Sequence, residues 1–526
     1  LGIVIASVTC TRAVLVIAGV QLSMVSSMLN SLVTVISIST TTHIILYYRE
    51  LRSELDQHAA TLRTLQELWH PVMWTVIAIA VGFAALLVSD IVPVRSFAIM
   101  MTLGTLIVLL VTLAVLPATF ASGSHVPIPG KIRMEDALDR LLEKMAHVID
   151  RHPIGTTIWC LVLVAVTAPG LFIMQIETDF SRNFRESSPI VKSLKFIETH
   201  LGPAGSWNVS FDVPDPITTE FLDSTRELTD RLHELSAAGI ELDVLSLNDG
   251  IDIPPRLGNA AKRLNTFMNK QPEMVEEFYN PDRQRMRIVL RSAEQQPTDV
   301  KLAQIQQVRE IVAGHFDKQH ALDVARVAAA VVAGGAGGTA NTPMPPPQSA
   351  TASGLFVLMA HIIDSLLADQ IRSFIGASMG TVVCMWIAFR SLRIGLIALV
   401  PNVFPIALVT GSLGLLNVPV NIGTAMIASV AMGFTCSVHY IAVFQKSLPE
   451  VGLTRALQVA QSGVGKAVVL AHIALVAGFM VLTVSEFIPL VYFGALLSLS
   501  MIGGLISDLV LLPLLLRWTT KDPTRP

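Results

Sequence analysis

Long apolar runs, separated by short polar loops, dominate the chain. A helix that crosses a bilayer needs about 20 mostly apolar residues, and ten stretches meet or approach that length. They are 1–20, 22–47, 72–87, 94–120, 156–174, 371–389, 396–416, 422–444, 467–484 and 491–516. A polar segment of nearly 200 residues lies between the fifth and the sixth stretch. The pattern predicts an α-helical polytopic membrane protein with one inserted polar domain.

Landmark residues of the first apolar runs recur 396 positions later without gaps (43 and 439 for histidine, 117 and 513 for proline). The matched landmarks are His43 with His439, Gly82-Phe83 with Gly478-Phe479, Pro93 with Pro489, Phe97 with Phe493 and Pro117 with Pro513. Six helices separate equivalent members, an even number, so we expect a parallel pseudo-twofold repeat of transmembrane helices. Partners of the two unmatched helices, and a first soluble domain, would then precede Leu1. We therefore expect an intact protein of twelve spans, of which this chain is an N-terminally truncated part.

These patterns divide the chain into six parts. We expect first-half transmembrane helices over 1–121, a linker with an amphipathic helix over 122–154, and a single span over 155–174. A porter-like α+β domain follows over 175–370, then second-half helices over 371–517 and a tail over 518–526. In the linker, seven apolar residues fall on one helical face: Met134, Leu138, Leu141, Leu142, Met145, Val148 and Ile149. This helix either lies in the membrane interface or is a connector docked on the bundle.

Orientation follows from the short loops. Lys and Arg gather on one side, in the loops after 47, 120, 389, 444 and 516, and are nearly missing from the opposite turns. Because basic loops stay in the cytoplasm, the large polar domain is expected to be periplasmic. In that domain 207–213 and 286–291 are predicted strands, and 218–235 and 300–316 are predicted amphipathic helices, which indicates a split βαβ fold. Residues 327–352 are rich in Ala, Gly, Pro, Ser and Thr and predict a mobile loop.

Composition excludes several functions. Hydrophobic residues make up 52% of the chain and charged residues only 15%, and the mean hydropathy is +0.60, as expected of a membrane protein. The net charge of −3 does not favour nucleic acid as a partner. The four cysteines are far apart, and the sequence has neither a nucleotide-binding motif nor metal-ligand spacing nor a nucleophile constellation. We therefore expect no enzyme activity, no cofactor and no metal.

The two histidine runs carry a family resemblance. They read Ser37-Ile-Ser-Thr-Thr-Thr-His43 and Gly433-Phe-Thr-Cys-Ser-Val-His439, and each is followed by the Gly-Phe landmark of the next helix. With their order and spacing, they resemble the resistance–nodulation–division superfamily in its lipid-exporting MMPL and sterol-sensing-like branch. The resemblance implies a proton-carrying carboxylate three or four positions before the histidine position. Here those positions hold Ser39 and Thr40 in the first half, and Thr435 and Cys436 in the second.

Four ionisable residues lie deep in the apolar runs: His43, His439, His472 and Asp508. Such residues are costly in a membrane and suggest function, and histidine exchanges protons near neutral pH. We hypothesise that the first two face each other across the pseudo-twofold axis as a proton-responsive pair, with Asp508 or His472 as relay partner.

Structural alternatives stay open for each of these residues. The histidines could lie in the headgroup region or bond a neighbouring carbonyl, and Asp508 could pack and cap. The polar runs around them either form hydrogen bonds between helices or coordinate ions; they comprise Thr40, Thr41, Thr435, Cys436 and Ser437. At the outer turns Asp90 and Glu486 are expected to shape the chain, and Gly82 and Gly478 to allow close approach of helices.

The resemblance implies a gradient-driven exporter of lipids or other hydrophobic molecules in a bacterial inner membrane. The expected partners are the lipid bilayer, a hydrophobic substrate, and a homo-oligomer or periplasmic accessory proteins. The alternative is a non-pumping lipid sensor or membrane scaffold of the sterol-sensing type, which the missing carboxylates favour.

Overall fold

The structure is a computed structural model that describes residues 1–20, 24–122, 133–173, 180–237, 241–252, 259–294, 296–333, 350–434 and 436–521. It divides into two compact units. The membrane unit comprises Leu1–Ile176 and Ser365–Pro526, and the α+β domain comprises Glu177–Asp364. These boundaries lie within six residues of the 175 and 370 expected from the sequence.

The membrane unit is helical throughout its described residues. Its first part contains α1 (Gly2–Ile17), α2 (Leu29–Arg52), α3 (Gln57–Ala84), α4 (Val92–Ser122), α5 (Arg133–Arg151) and α6 (Pro153–Thr167). Its second part contains α13 (Leu355–Phe389, which begins in the α+β domain), α14 (Leu392–Leu415), α15 (Ile422–Gly433), α16 (Ser437–Val451), α17 (Leu453–Met480), α18 (Ile488–Ile506) and α19 (Leu512–Thr519). Within the described residues nine helical segments are long and apolar enough to cross a membrane, and α1 is a shorter apolar helix. The chain is therefore a multi-pass helical membrane protein.

The internal repeat is visible in the element bounds. Helices α3 and α17 both have 28 residues and begin 396 positions apart, at 57 and 453. A 3₁₀ turn follows each of them, and α4 and α18 begin at the equivalent positions 92 and 488. The halves also meet at equivalent residues, since the rings of Phe97 and Phe493 lie edge to face with centroids 6.4 Å apart. This contact places the pseudo-twofold axis between α4 and α18.

Glycines allow close helix approach at the interface between the halves. Helix α3 packs on α15, and α2 packs on α17. A Cβ on Gly82 would lie 2.9 Å from the Cα of Gly433, and a Cβ on Gly478 would lie 2.1 Å from a methyl group of Val35. The expectation of close approach at both glycines is confirmed.

Two sequence expectations about the spans are wrong. The stretch 422–444 was expected to be one helix, but α15 ends at Gly433 and α16 begins at Ser437. Helices α3 and α17 begin 15 and 14 residues before the expected starts at 72 and 467. Their first turns are polar, so a hydropathy criterion misses them, although Asp56 caps α3 by accepting a hydrogen bond from the backbone N–H of His58.

The amphipathic helix of the linker is α5, and it docks on the bundle. Leu142 and Ile149 are buried, and a Cβ on Gly465 of α17 would lie 3.1 Å from the Leu142 side chain. Ion pairs hold it at both ends, Asp139 with Lys466 at 2.6 Å and Asp150 with Arg517. Of the two interpretations left open, the docked connector matches this packing.

The α+β domain is a split βαβ fold, as expected. Its strands are β1 (Gly205–Asp212), β2 (Leu242–Leu245), β3 (Tyr279–Asn280), β4 (Arg285–Ser292) and β5 (Ala350–Ser353), and its helices are α7 (Pro189–His200), α8 (Thr219–Ala237), α9 (Leu247–Ile251), α10 (Ala260–Lys270), α11 (Pro272–Glu276) and α12 (Thr298–Ala333). The antiparallel sheet has the order β2-β4-β1-β5, with β3 paired to β4. Period-two burial in β1 and β4 directs Trp207, Phe211 and Ile288 into the core.

The loop expected over 327–352 is shorter at both ends. Helix α12 continues to Ala333, and Ala350–Ser353 form the edge strand β5 that pairs with β1. Alanine favours helix despite the low-complexity composition, which explains the longer helix. Residues 334–349, where the rest of the expected loop falls, lie outside the described residues, as do 123–132 of the linker and 522–526 of the tail.

Candidate functional site

The two equivalent histidines stack on each other inside the membrane unit. The rings of His43 on α2 and His439 on α16 have centroids 4.5 Å apart and planes within 9° of parallel. Their exposed fractions are 6% and 5%, so both side chains are buried among protein atoms. The expected juxtaposition is present in the structure, and the transport role of the pair stays a prediction.

Each histidine also contacts a polar group of the opposite half. The Oγ1 of Thr75 on α3 lies 3.4 Å from the Nε2 of His439, and the Sγ of Cys436 lies 3.9 Å from the Nε2 of His43. The pair therefore bridges the interface between the repeats. Any movement of the halves relative to each other must change the contacts of both rings.

Asp508 lies at the break between α15 and α16. It belongs to a π-helical turn, Ser507–Leu511, and its Oδ1 accepts a hydrogen bond of 2.6 Å from the hydroxyl of Ser437. The backbone N–H of Cys436 also donates to this carboxyl group. Because the first turn of a helix has unpaired N–H groups and a partial positive charge, a carboxylate is stabilised there. The capping alternative describes this contact, and π-helical turns are frequent at functional sites.

His472 and Cys436 complete the polar cluster. The Nδ1 of His472 lies 2.8 Å from the carbonyl oxygen of Val468, which can only accept, so the proton is on Nδ1 and Nε2 is an acceptor. Donor atoms of Cys436, His472 and Asp508 all lie within 4.8 Å of one another. The three buried side chains therefore form a polar cluster that could hold a metal ion.

The remaining polar residues of the two runs differ in their contacts. Thr40 is buried, but Thr41 donates to the carbonyl of Ser37 in its own helix, at 2.6 Å. The expectation of a hydrogen bond between helices is therefore wrong for Thr41, because a threonine in a helix can bond the preceding turn. Ser437 does bond across helices, to Asp508. Thr435 lies outside the described residues.

A small cavity lies beside the histidines. Its volume is about 20 Å³, which is about the size that holds one water molecule. The polar residues that line it are Ser39, Thr40, His43, Thr75, Cys436 and His439. The stacked pair thus forms one side of a small cavity between the two halves.

An ion-pair cluster that the sequence interpretation missed lies toward the basic end of the helices. Glu67 on α3 accepts hydrogen bonds from Tyr47 at 2.5 Å, Lys446 at 3.0 Å and Arg63 at 3.1 Å. Tyr47 is one turn beyond His43, and Lys446 is two turns beyond His439. The cluster joins α2, α3 and α16 at the end where the predicted cytoplasmic loops begin, which we call the basic face.

A second carboxylate was missed at the opposite end. Asp369 on α13 is buried and accepts hydrogen bonds from the hydroxyl of Ser89 at 2.7 Å and the backbone N–H of Asp90 at 2.8 Å. The side chain of Asp90 lies 3.8 Å from Arg372. This geometry agrees with the expectation that Asp90 shapes the outer turn. Neither Glu67 nor Asp369 has an acidic equivalent 396 positions away, so the repeat gave no signal for them.

The fold and site define a polytopic membrane protein with a pseudo-twofold helical repeat, a buried polar cluster between its halves and an inserted split βαβ domain. Residues 1–156 match the model of the MMPL family. Over these residues the chain is similar to the MMPL family.

Two membrane proteins are similar in sequence. A putative membrane protein of Methanocaldococcus jannaschii is 22% identical over 405 residues, which cover 72% of this chain and 94% of that protein. A putative membrane protein of Streptomyces coelicolor is 29% identical over 169 residues, which cover 31% of this chain and 24% of that protein.

One solved structure matches nearly the whole chain. The hedgehog release protein Disp from the water bear Hypsibius dujardini superimposes with a TM-score of 0.61 at 11% identity, covering 95% of this chain. The chain spans 63% of the length of that protein. At this identity the match shows the shared fold.

Proposed function

We propose that this protein is a proton-gradient-driven exporter of lipids or other hydrophobic molecules in a bacterial inner membrane. The observation that carries the proposal is the stack of His43 on His439 at the interface of the two halves. Beside it, Asp508 accepts a hydrogen bond from Ser437, two residues before the second histidine. In this proposal the α+β domain is periplasmic, as the basic loops suggest. No covalent step is involved, so the protein is not an enzyme.

The geometry supplies a physical route from protonation to movement. A proton on one imidazole would place a positive charge against the face of the other ring at 4.5 Å. Like charges at this separation repel strongly in a buried site, so the stacked arrangement is compatible with at most one charged ring. Protonation of both rings would therefore favour a different arrangement of α2 and α16, and loss of one proton would restore the stack. Proton binding is thereby linked to the packing of the two halves.

Comparisons support the transport class. The match of residues 1–156 to the MMPL family is consistent with a transporter, and the structural neighbour is described as a release protein. The chemical class of the substrate comes from the family resemblance.

Flux measurements on the full-length protein in proteoliposomes test the proposal. With an imposed pH gradient and a fluorescent phospholipid analogue, His43→Gln with His439→Gln is expected to reduce flux to the level without a gradient. His70→Gln is the matched control, because His70 lies on α3, is exposed and accepts a hydrogen bond from Trp74 of its own helix. It is expected to leave flux unchanged. Full gradient dependence in the double variant would refute the coupling role.

One observation favours the alternative of a non-pumping lipid sensor or scaffold. Ser39, Thr40 and Cys436 occupy positions where the family resemblance implies acids. Asp508, on another helix, supplies a carboxylate to the same segment, which favours the exporter. Saturable binding of the lipid analogue by the wild-type protein, with no flux at any gradient, would support the sensor instead.

A further inference from the structure

An apolar groove runs between the end of α5 and the start of α6 at the basic face. Its volume is about 480 Å³, within the range of ligand sites in proteins, roughly 300–1,000 Å³. The residues that line it are Lys144, Met145, Val148, Ile149, His152, Gly155, Thr156, Trp159 and Val510. The polar cluster does not use this groove.

The groove borders the lipid-facing side of the membrane unit. Only 11% of the apolar window of the span at Pro153–Phe172 is buried inside the protein. Large apolar side chains of α6 are half exposed along its length, among them Ile158, Leu161 and Val162. The hydrocarbon of the bilayer is the environment that such a surface requires. Trp159 forms one wall of the groove, and tryptophan favours the level of the lipid headgroups.

Charges around the groove favour an anion. The carboxylates of α5 on either side, Asp139 and Asp150, are paired with Lys466 and Arg517. In the described part of the chain no carboxylate lies within ion-pair distance of Lys144, which is exposed and lines the groove together with His152. A cationic rim over an apolar floor complements an amphipathic anion.

We propose that this groove binds one anionic phospholipid from the leaflet at the basic face. Lys144 and His152 contact the phosphate, and an acyl chain lies along Met145, Val148 and Trp159. Basic pockets beside transmembrane helices at the cytoplasmic side recognise such headgroups. The proposal concerns binding and does not depend on the transport function.

Two contacts connect the groove to the polar cluster. Val510 lies in the same π-helical turn as Asp508 and lines the groove. On the other side of α5, Leu142 packs in one cluster with Cys436 and Leu509. A bound lipid would therefore stabilise α5 and the π-helical turn together.

Lipid retention by the purified full-length protein tests the inference. The protein is delipidated in detergent, titrated with phosphatidylglycerol or phosphatidylcholine, and bound lipid is counted by native mass spectrometry. One phosphatidylglycerol is expected to bind in preference to phosphatidylcholine. Lys144→Gln is expected to weaken it about fivefold, as the loss of one cation near an anionic headgroup implies. Arg455→Gln, which removes an exposed cation on α17 that bonds Gln458 outside the groove, is expected to change nothing.

A second pair of variants tests the apolar part. Val148→Trp fills the groove, whereas Val162→Trp adds the same ring to a lipid-facing position of α6 with nearly equal exposure, 53% against 52%. The first is expected to abolish the retained lipid and the second to preserve it. Equal retention of both lipids by wild type, or unchanged retention in Val148→Trp, would overturn the proposal. Lys144 is exposed, so Lys144→Gln is expected to fold, and unchanged affinity in that variant would overturn the assignment of the headgroup site.

Discussion

Replacing Gly82 by alanine tests whether the two halves meet in direct backbone contact. The new Cβ would lie 2.9 Å from the Cα of Gly433, 3.0 Å from its nitrogen and 3.1 Å from the carbonyl oxygen of Ser429. All three atoms belong to the backbone of α15, so no side-chain rotation can relieve the contact. Helices α3 and α15 must therefore separate to accommodate one methyl group.

The size of the effect follows from two opposing terms. Overpacking a well-packed interface costs about 1–3 kcal/mol. Alanine in place of glycine inside a helix contributes up to about 1 kcal/mol of stability. The net expectation for Gly82→Ala is a loss of about 1–2 kcal/mol. Gly463→Ala is the matched control, because a Cβ on Gly463 of α17 meets no atom within 4 Å. Only the favourable helix-propensity term applies there.

Equilibrium unfolding of the full-length protein in mixed micelles, followed by helical circular dichroism, measures both variants. Gly82→Ala is expected to unfold at lower denaturant than wild type, and Gly463→Ala at equal or higher denaturant. Because the two variants are expected to shift the unfolding transition in opposite directions, errors common to both measurements cancel in the comparison. If Gly82→Ala were as stable as Gly463→Ala, the close contact between the halves would be refuted.

Three further predictions concern other parts of the molecule. Glu67→Gln removes the negative charge shared by three helices and replaces one acceptor oxygen by an N–H donor, which should cost about 1–2 kcal/mol in the same unfolding assay. Its coupling to Lys446→Gln should stay below about 1 kcal/mol because that lysine is exposed, and a larger coupling would contradict this. Asp369→Ala leaves the hydroxyl of Ser89 without its acceptor and should cost about 2–3 kcal/mol, and a loss below about 0.5 kcal/mol would show that the contact is unimportant. Burial lowers the pKa of His315 below its usual 6.5, so the unfolded state binds more protons and stability should fall as the pH drops below that value. Thermal unfolding at pH 7.5 and 5.5 should show a smaller pH-dependent loss in His315→Gln, and an equal loss would rule out this contribution.

The helical repeat could be predicted because its landmarks serve fixed geometric purposes. Gly82 and Gly478 allow backbones to approach, and Phe97 and Phe493 meet near the axis, so each pair kept its spacing. The starts of α3 and α17 could not be predicted from hydropathy, because their first turns are polar.

The histidine pair could be predicted from symmetry alone. Equivalent residues on the inner faces of two repeats approach each other if they lie close to the axis, and His43 and His439 do so. Symmetry does not predict contacts of residues that have no counterpart in the other half. Thr75 and Glu67 are such residues, because the equivalent positions, 471 and 463, hold alanine and glycine. Their contacts depend on how α3 packs, which sequence spacing does not determine.

The helix break explains how the site can contain a carboxylate although the expected positions lack one. A continuous helix through 434–436 would leave no free N–H groups there, and Asp508 would be a buried acid without donors. The break supplies the N–H of Cys436 and the hydroxyl of Ser437 to that carboxyl group. The contact needs both the helix break and Asp508, which are separated by about 70 residues in the sequence. A position-by-position comparison finds the acid missing, whereas the structure places it on a neighbouring helix against the same segment.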